Sequence, residues 1–138
     1  MKRVGILFLV LVCSITLFSC DSKNTSNVKI DYGKSSIYET EDMDKAIKLI
    51  KKEFNSWDGC EMHSISYAGD ENVTKENIKS INEKEDSNKY TQCIVFKSNF
   101  HSPKKATEGW EADMEYTDWE WWLARSNNGN WKLVNWGY

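Results

Sequence analysis

Six of the seven tryptophans lie between Trp110 and Trp136, and they flank an Asn128-Gly129 pair. Asn-Gly is a strong signal for a two-residue hairpin turn, because the central positions need positive φ. A turn centred there sets Leu123 against Val134, Trp121 against Trp136 and Trp119 against Tyr138, all on one face of the pair. The other face receives Trp122, Ala124, Leu133 and Asn135, with Glu120 across from Gly137. Such a register resists slipping, since a shift of one residue would move every large side chain to the opposite face.

Upstream, a helix is predicted over residues 41–56 with Thr40 as its cap. Met43, Ala46, Ile47, Ile50, Phe54 and Trp57 form one stripe on a 3.6-residue period. Glu41, Asp42 and Asp44 near its start, and Lys48, Lys51 and Lys52 toward its end, complement the helix dipole. Gly59 ends it. Residues 60–67 read as a strand with a bulge near His63, because the apolar parity changes between Met62 and Ile65. Thr74 caps a short polar helix carrying Ile78 and Ile81. Residues 90–100 read as a second strand, in which the contiguous Cys93, Ile94, Val95 and Phe96 need cover on both sides. The expected fold is α+β: one long amphipathic N-terminal helix packed on a curved antiparallel sheet of about four strands, with a short second helix.

Lys2 and Arg3 precede an uncharged run over residues 4–18 that ends at Ser19-Cys20. The run suits a signal peptide and falls short of the roughly 20 apolar residues of a membrane span. Leu17-Phe18-Ser19-Cys20 resembles the bacterial lipobox, with Phe18 departing from the pattern. The resemblance implies a diacylated Cys20 as the new N-terminus, and an ordinary signal peptide cut nearby is the alternative. Two acyl chains would hold the chain stably at a bilayer, each buried methylene contributing about 0.8 kcal/mol. Residues 1–19 are thus expected as a signal peptide, 20–36 as the lipidated cysteine with a flexible tether, and 37–138 as a single domain. Without Lys2 and Arg3, 16 basic residues face 21 acidic ones, a formal charge of −5. Nothing would neutralise phosphates in bulk, so no nucleic-acid partner is expected.

The C-terminal run from Tyr116-Thr117-Asp118-Trp119-Glu120-Trp121-Trp122 through Asn128-Gly129 to Trp136-Gly137-Tyr138 is similar to the ending of small bacterial secreted and lipoprotein domains of the cystatin-like, nuclear-transport-factor-2-like superfamily. The resemblance implies a cone between helix and curved sheet, used in that superfamily by isomerases, dehydratases and pure binding domains. Fold analogy does not choose among them.

Cys60 and Cys93 are left for a disulfide once Cys20 is acylated, although the strand order implied by the resemblance would hold them apart, as two buried thiols. Cys60, His63, Cys93 and His101 are zinc-ligand types, but their spacing matches no recognised site, and no metal or cofactor is expected. Asp118 and Glu120 are the weak candidates for a general base, or else the wet side of a strand, with Arg125 placed to pair with one of the acids. Trp110, Trp122 and Trp131 are the indoles hardest to bury. They offer a surface for a sugar ring or a protein partner, unless Trp122 packs under the short helix and Trp110 closes a loop. The expected function is that of a membrane-anchored lipoprotein with a non-enzymatic binding domain for a small molecule, glycan or envelope protein. An isomerase or dehydratase, or an envelope interaction or inhibitor module, are the alternatives.

Overall fold

The structure is a computed structural model describing residues 24–138, so the predicted signal segment and Cys20 lie outside the described residues. Strand β1 (Lys29–Asp31) leads to helix α1 (Thr40–Phe54), strand β2 (Glu61–Tyr67), a single 3-10 turn (Asp70–Asn72), helix α2 (Lys75–Lys84) and strands β3 (Gln92–His101), β4 (Glu115–Arg125) and β5 (Lys132–Gly137). All five strands form one sheet in chain order. β1 runs parallel to β2 through the α1 crossover, and every later pair is antiparallel.

This corrects the expected architecture while leaving the α+β class in place. The sheet is mixed and five-stranded, where an antiparallel sheet of about four strands was expected. α1 has 15 residues and follows a strand; it is not a long N-terminal helix. The cause is an alternation hidden in polar sequence: Val28, Ile30 and Tyr32 all pack against the core. Residues 24–36, assigned by composition to a tether, are therefore docked. Asn24 accepts the Met62 N–H through its carbonyl at 2.8 Å, and the buried Thr25 hydroxyl donates to Asn55 Oδ1 at 3.1 Å.

Thr40 is the first helical residue and not the cap. The N-cap is Glu39, whose carbonyl accepts from the Asp42 and Met43 N–H groups. Met43, Ala46, Ile47, Ile50 and Phe54 are all buried against the sheet, each large side chain contributing about 1.5–3 kcal/mol relative to exposure. Just beyond the helix, Trp57 stacks on Trp121 with ring centroids 5.2 Å apart and also meets Phe54, Phe100, Trp110 and Trp119. The opposite face of the sheet carries a smaller cluster of Ile81, Tyr90, Cys93 and Ala124 with Ile78, Trp122 and Val134. β3 thus lies between two covered faces, and none of Cys93, Ile94, Val95 and Phe96 is more than 1% exposed.

The β4–β5 hairpin keeps the expected pairs Trp121 with Trp136, Trp122 with Asn135 and Glu120 with Gly137. Nearer the turn it shifts by one, so Leu123 faces Leu133 and not Val134. The turn sits one residue early: Asn127 and Asn128 carry the positive φ values, 34° and 60°, and the Gly129 N–H donates to the Ser126 carbonyl. Leu133 therefore joins the α1 side and Val134 the α2 side. Trp136, expected in the core, is 41% exposed, and Tyr138, expected on the same face opposite Trp119, is 82% exposed.

Two bulges flank Asn99 of β3. One inserts His63 between Met62 and Ser64 of β2, at the expected place. The other lies on β4, where Tyr116 pairs with Phe100 and Trp119 with Ser98. Asp118 takes up that second bulge with φ 56°, a conformation Asp tolerates better than most residues, and its N–H donates to Asn99 Oδ1 at 3.0 Å.

Arg125, 3% exposed, lies on the α1 side of the sheet, away from Asp118 and Glu120 with which pairing was expected. Its guanidinium donates to Asp42 Oδ1 at 2.9 Å and Oδ2 at 3.4 Å, its Nε donates to Gln92 Oε1 at 2.7 Å, and it lies 4.1 Å from the Trp131 ring centroid. The charge holds the Asp42 carboxyl below its usual value, chiefly through that hydrogen bond.

Asp70 fastens residues 35–36 to the end of β2. Its carboxylate accepts from the Ser35 and Tyr67 hydroxyls, each at 2.6 Å, and from the Ser36 N–H and hydroxyl at 2.7 and 3.0 Å. These donors, the Ser35 hydroxyl foremost, lower its pKa from 3.8 to about 2. Their contribution is fully present above the unfolded value and is lost as pH falls through the folded one. Thermal unfolding between pH 4 and 2 is accordingly expected to show the stability gap between parent and Asp70→Asn closing as acid is added, and a constant gap would contradict this role.

Candidate functional site

Strand parity decides which side chains leave the main core. On β4, Trp119, Trp121 and Leu123 belong to the α1 side, so Trp122 and Ala124 belong to the α2 side. α2 is set over that face by its buried Ile81. Its start is fixed by Thr74, whose hydroxyl accepts the Asn77 N–H at 3.1 Å. Between α2 and the β4–β5 hairpin lies a cleft of about 220 Å³, whose lining includes Asn77, Ser80, Lys84, Glu120, Trp122 and Asn135. The Trp122 indole N–H donates to Glu120 Oε2 at 2.8 Å, which fixes the carboxylate beside the ring. Lys132 reaches from β5 to Glu85 at the end of α2 at 2.8 Å, and the exposed Tyr138 completes one edge.

The three candidate tryptophans occupy three different settings. Trp122 is half-buried and forms part of the cleft wall. Trp110 is half-buried in the α1-side aromatic cluster, 5.0 Å from Trp57 and 5.3 Å from both Phe100 and Tyr116 between ring centroids. Trp131 is 7% exposed, its N–H donates to the Asp42 carbonyl at 3.1 Å, and Arg125 covers its ring. Burial and the Arg125 contact leave little of its ring for a ligand. Of the two candidate acids, Glu120 lines the cleft, while Asp118 is an exposed bulge residue whose position the backbone accounts for.

Cys60 and Cys93 are both free and buried. β2 and β3 are adjacent, contrary to the strand order implied by the resemblance, yet the cysteines lie at opposite ends of the pair. Glu61 faces His101, eight residues along β3 from Cys93. At the strand rise that is about 25 Å, against a limit of about 7 Å between Cα atoms for a disulfide. Burial pushes each thiol up to about 11. The four sequence-weighed metal donors do not converge, because Cys60 belongs to the α1-side core and Cys93 to the α2-side cluster. Only the two histidines approach each other, with ring centroids 6.4 Å apart.

Asn77, Ser80 and Asn135 are cleft residues that sequence reasoning missed. They are ordinary polar positions on a helix and a strand, and only the packing of α2 on the hairpin brings them together. Alkylation of the native chain with iodoacetamide, followed by peptide mass spectrometry, is expected to leave Cys60 and Cys93 unlabelled until the chain is denatured. Rapid native labelling of either would contradict their burial. Compared with known proteins, the chain matches no family model, no curated protein and no solved structure.

Proposed function

We propose that this protein is a membrane-anchored bacterial lipoprotein whose domain binds a small polar ring-shaped ligand, such as a single sugar unit, without catalysis. The observation that carries the binding reading is the cleft between α2 and the hairpin, where the Trp122 indole meets hydroxyl, amide, ammonium and carboxylate groups. An apolar ring face beside convergent polar side chains is the chemistry that suits a polyhydroxylated ring. An apolar cavity of about 150 Å³ accepts benzene, so the 220 Å³ here accommodates one substituted six-membered ring.

The alternative of an isomerase or dehydratase depends on a cone between helix and sheet. That space is filled by Ala46, Ile50, Phe54, Trp121 and Leu123, each 0% exposed. The anchoring half of the proposal rests on residues 1–20 alone, and no helix among the described residues is long and apolar enough to cross a membrane. Docking of residues 24–36 onto the sheet would then hold the cleft close to the bilayer surface.

The two halves are tested separately. The full chain in detergent is titrated with monosaccharides and their N-acetylated forms while thermal unfolding is followed. A ligand at 100 times its dissociation constant adds about 2.7 kcal/mol, which for a domain of this size is a rise of several degrees. The rise is expected to disappear in Asn135→Ala, an exposed strand position. Absence of any saturable shift across the panel removes the sugar reading. Cys20→Ser is expected to abolish both membrane retention and the mass added by acylation, and unchanged retention removes the anchor.

A further inference from the structure

At the end of the sheet away from the cleft, three strands place nitrogen and oxygen donors together on the exposed face. The β2 bulge delivers His63, the last residue of β3 is His101, and Glu115, the first of β4, is its direct register partner. One donor atom from each lies within 4.8 Å of the other two. Glu115 Oε2 stands between the rings, 2.9 Å from His101 Nδ1 and 3.4 Å from His63 Nε2. In a tetrahedral zinc site with bonds of about 2.0–2.1 Å, ligand atoms are about 3.3–3.4 Å apart. The two separations from Glu115 Oε2 lie within about 0.5 Å of that edge. The bulge is what makes the approach possible, since an extra residue re-aims a side chain that regular pairing would not.

A fourth group orients the cluster. Asp113 Oδ1 lies 2.8 Å from His101 Nε2. Both ring nitrogens of His101 face a carboxylate, Nδ1 facing Glu115 and Nε2 facing Asp113; with a metal on Nδ1, Asp113 would keep the proton on Nε2, the usual support for a ligating histidine. Asp113 is itself held in place. Its N–H donates to the Pro103 carbonyl at 2.7 Å, and the buried Ser102 closes the neck of the loop by donating its hydroxyl to the Glu111 carbonyl and accepting from the Met114 N–H.

We propose that His63 Nε2, His101 Nδ1 and Glu115 Oε2 bind one divalent transition-metal ion of the zinc type, with Asp113 as a positioning residue and solvent completing the coordination. Two imidazoles and one carboxylate favour zinc, copper or nickel over magnesium or calcium, which take oxygen donors. The carboxylates of Asp113 and Glu115 supply the opposing charge. The site is separate from the cleft: Glu120, the cleft residue nearest to it along β4, is five residues from Glu115, roughly 15 Å at the strand rise.

The test is calorimetric titration of zinc chloride into the full chain in detergent after chelator treatment. One saturable site per chain is expected. His63→Gln and His101→Ala are each expected to weaken it by at least tenfold, and Asp113→Asn by about 10- to 100-fold. Thermal midpoints of the metal-free variants, read beside that of the parent, separate a lost ligand from a lost fold. No saturable uptake, which would leave the cluster as a histidine–carboxylate ion-pair network, overturns the proposal. So does zinc binding that survives both histidine substitutions, which would place the metal on other donors.

Discussion

Arg125 is the node through which the helix, the central strands and the C-terminal hairpin become one unit. It ends β4 with a side chain only 4% exposed, and a buried guanidinium is tolerated only when its donors are met. The partners come from separate parts of the chain: Asp42 in the first turn of α1, Gln92 at the start of β3, and Asn128 in the β4–β5 turn. Trp131 lies over the guanidinium and donates its own N–H to the Asp42 carbonyl, so the aromatic and ionic contacts secure the same helix end. Gln92 Oε1 also accepts the Asn128 N–H, which closes the network around the turn. Apolar burial supplies most of the driving force, but it is non-directional. This polar network determines where α1 sits on the sheet.

With α1 fixed on one face, the other face becomes the place where the chain meets its surroundings. α2 covers part of it through Ile78 and Ile81 and leaves the Trp122 cleft beside the hairpin. The bulges flanking Asn99 bend the same sheet at its far end, where the histidines meet Glu115. Both features depend on strand parity. Trp121 and Trp122 are neighbours in sequence, yet one is fully buried beneath α1 and the other half-exposed beside α2. A tryptophan-rich segment therefore contributes both a core and a surface, which explains why the indole count alone did not identify a site.

Local periodicity was the legible part of the sequence. The stripe of α1, the bulge at His63, the Thr74 cap and the doubly covered run in β3 all follow from rules that operate within a few residues. What escaped was long-range. β1 is three residues of Lys-Ile-Asp whose pairing with β2 is parallel and bridged by a helix, so no turn signal announces it. The hairpin turn formed at Asn127-Asn128 because Asn also tolerates positive φ, and that one-residue choice exchanged Leu133 and Val134 between faces. The loop over residues 102–114 separates His101 from Glu115, so their pairing could not be read from spacing. Arg125 was assigned to the acids nearest in sequence, whereas its partner Asp42 is 83 residues away.

The direct test of this organisation is a double-mutant cycle between Arg125 and Asp42, using Arg125→Met, Asp42→Asn and the double variant, with stability read from urea unfolding. A hydrogen-bonded charge pair with one partner buried is expected to show a coupling of about 1.5–3 kcal/mol, with the single Asp42→Asn change destabilising more than its partial exposure alone suggests. A coupling below about 0.5 kcal/mol, in the range of exposed surface ion pairs, would show that α1 is placed by apolar packing alone and would contradict the central role given to Arg125.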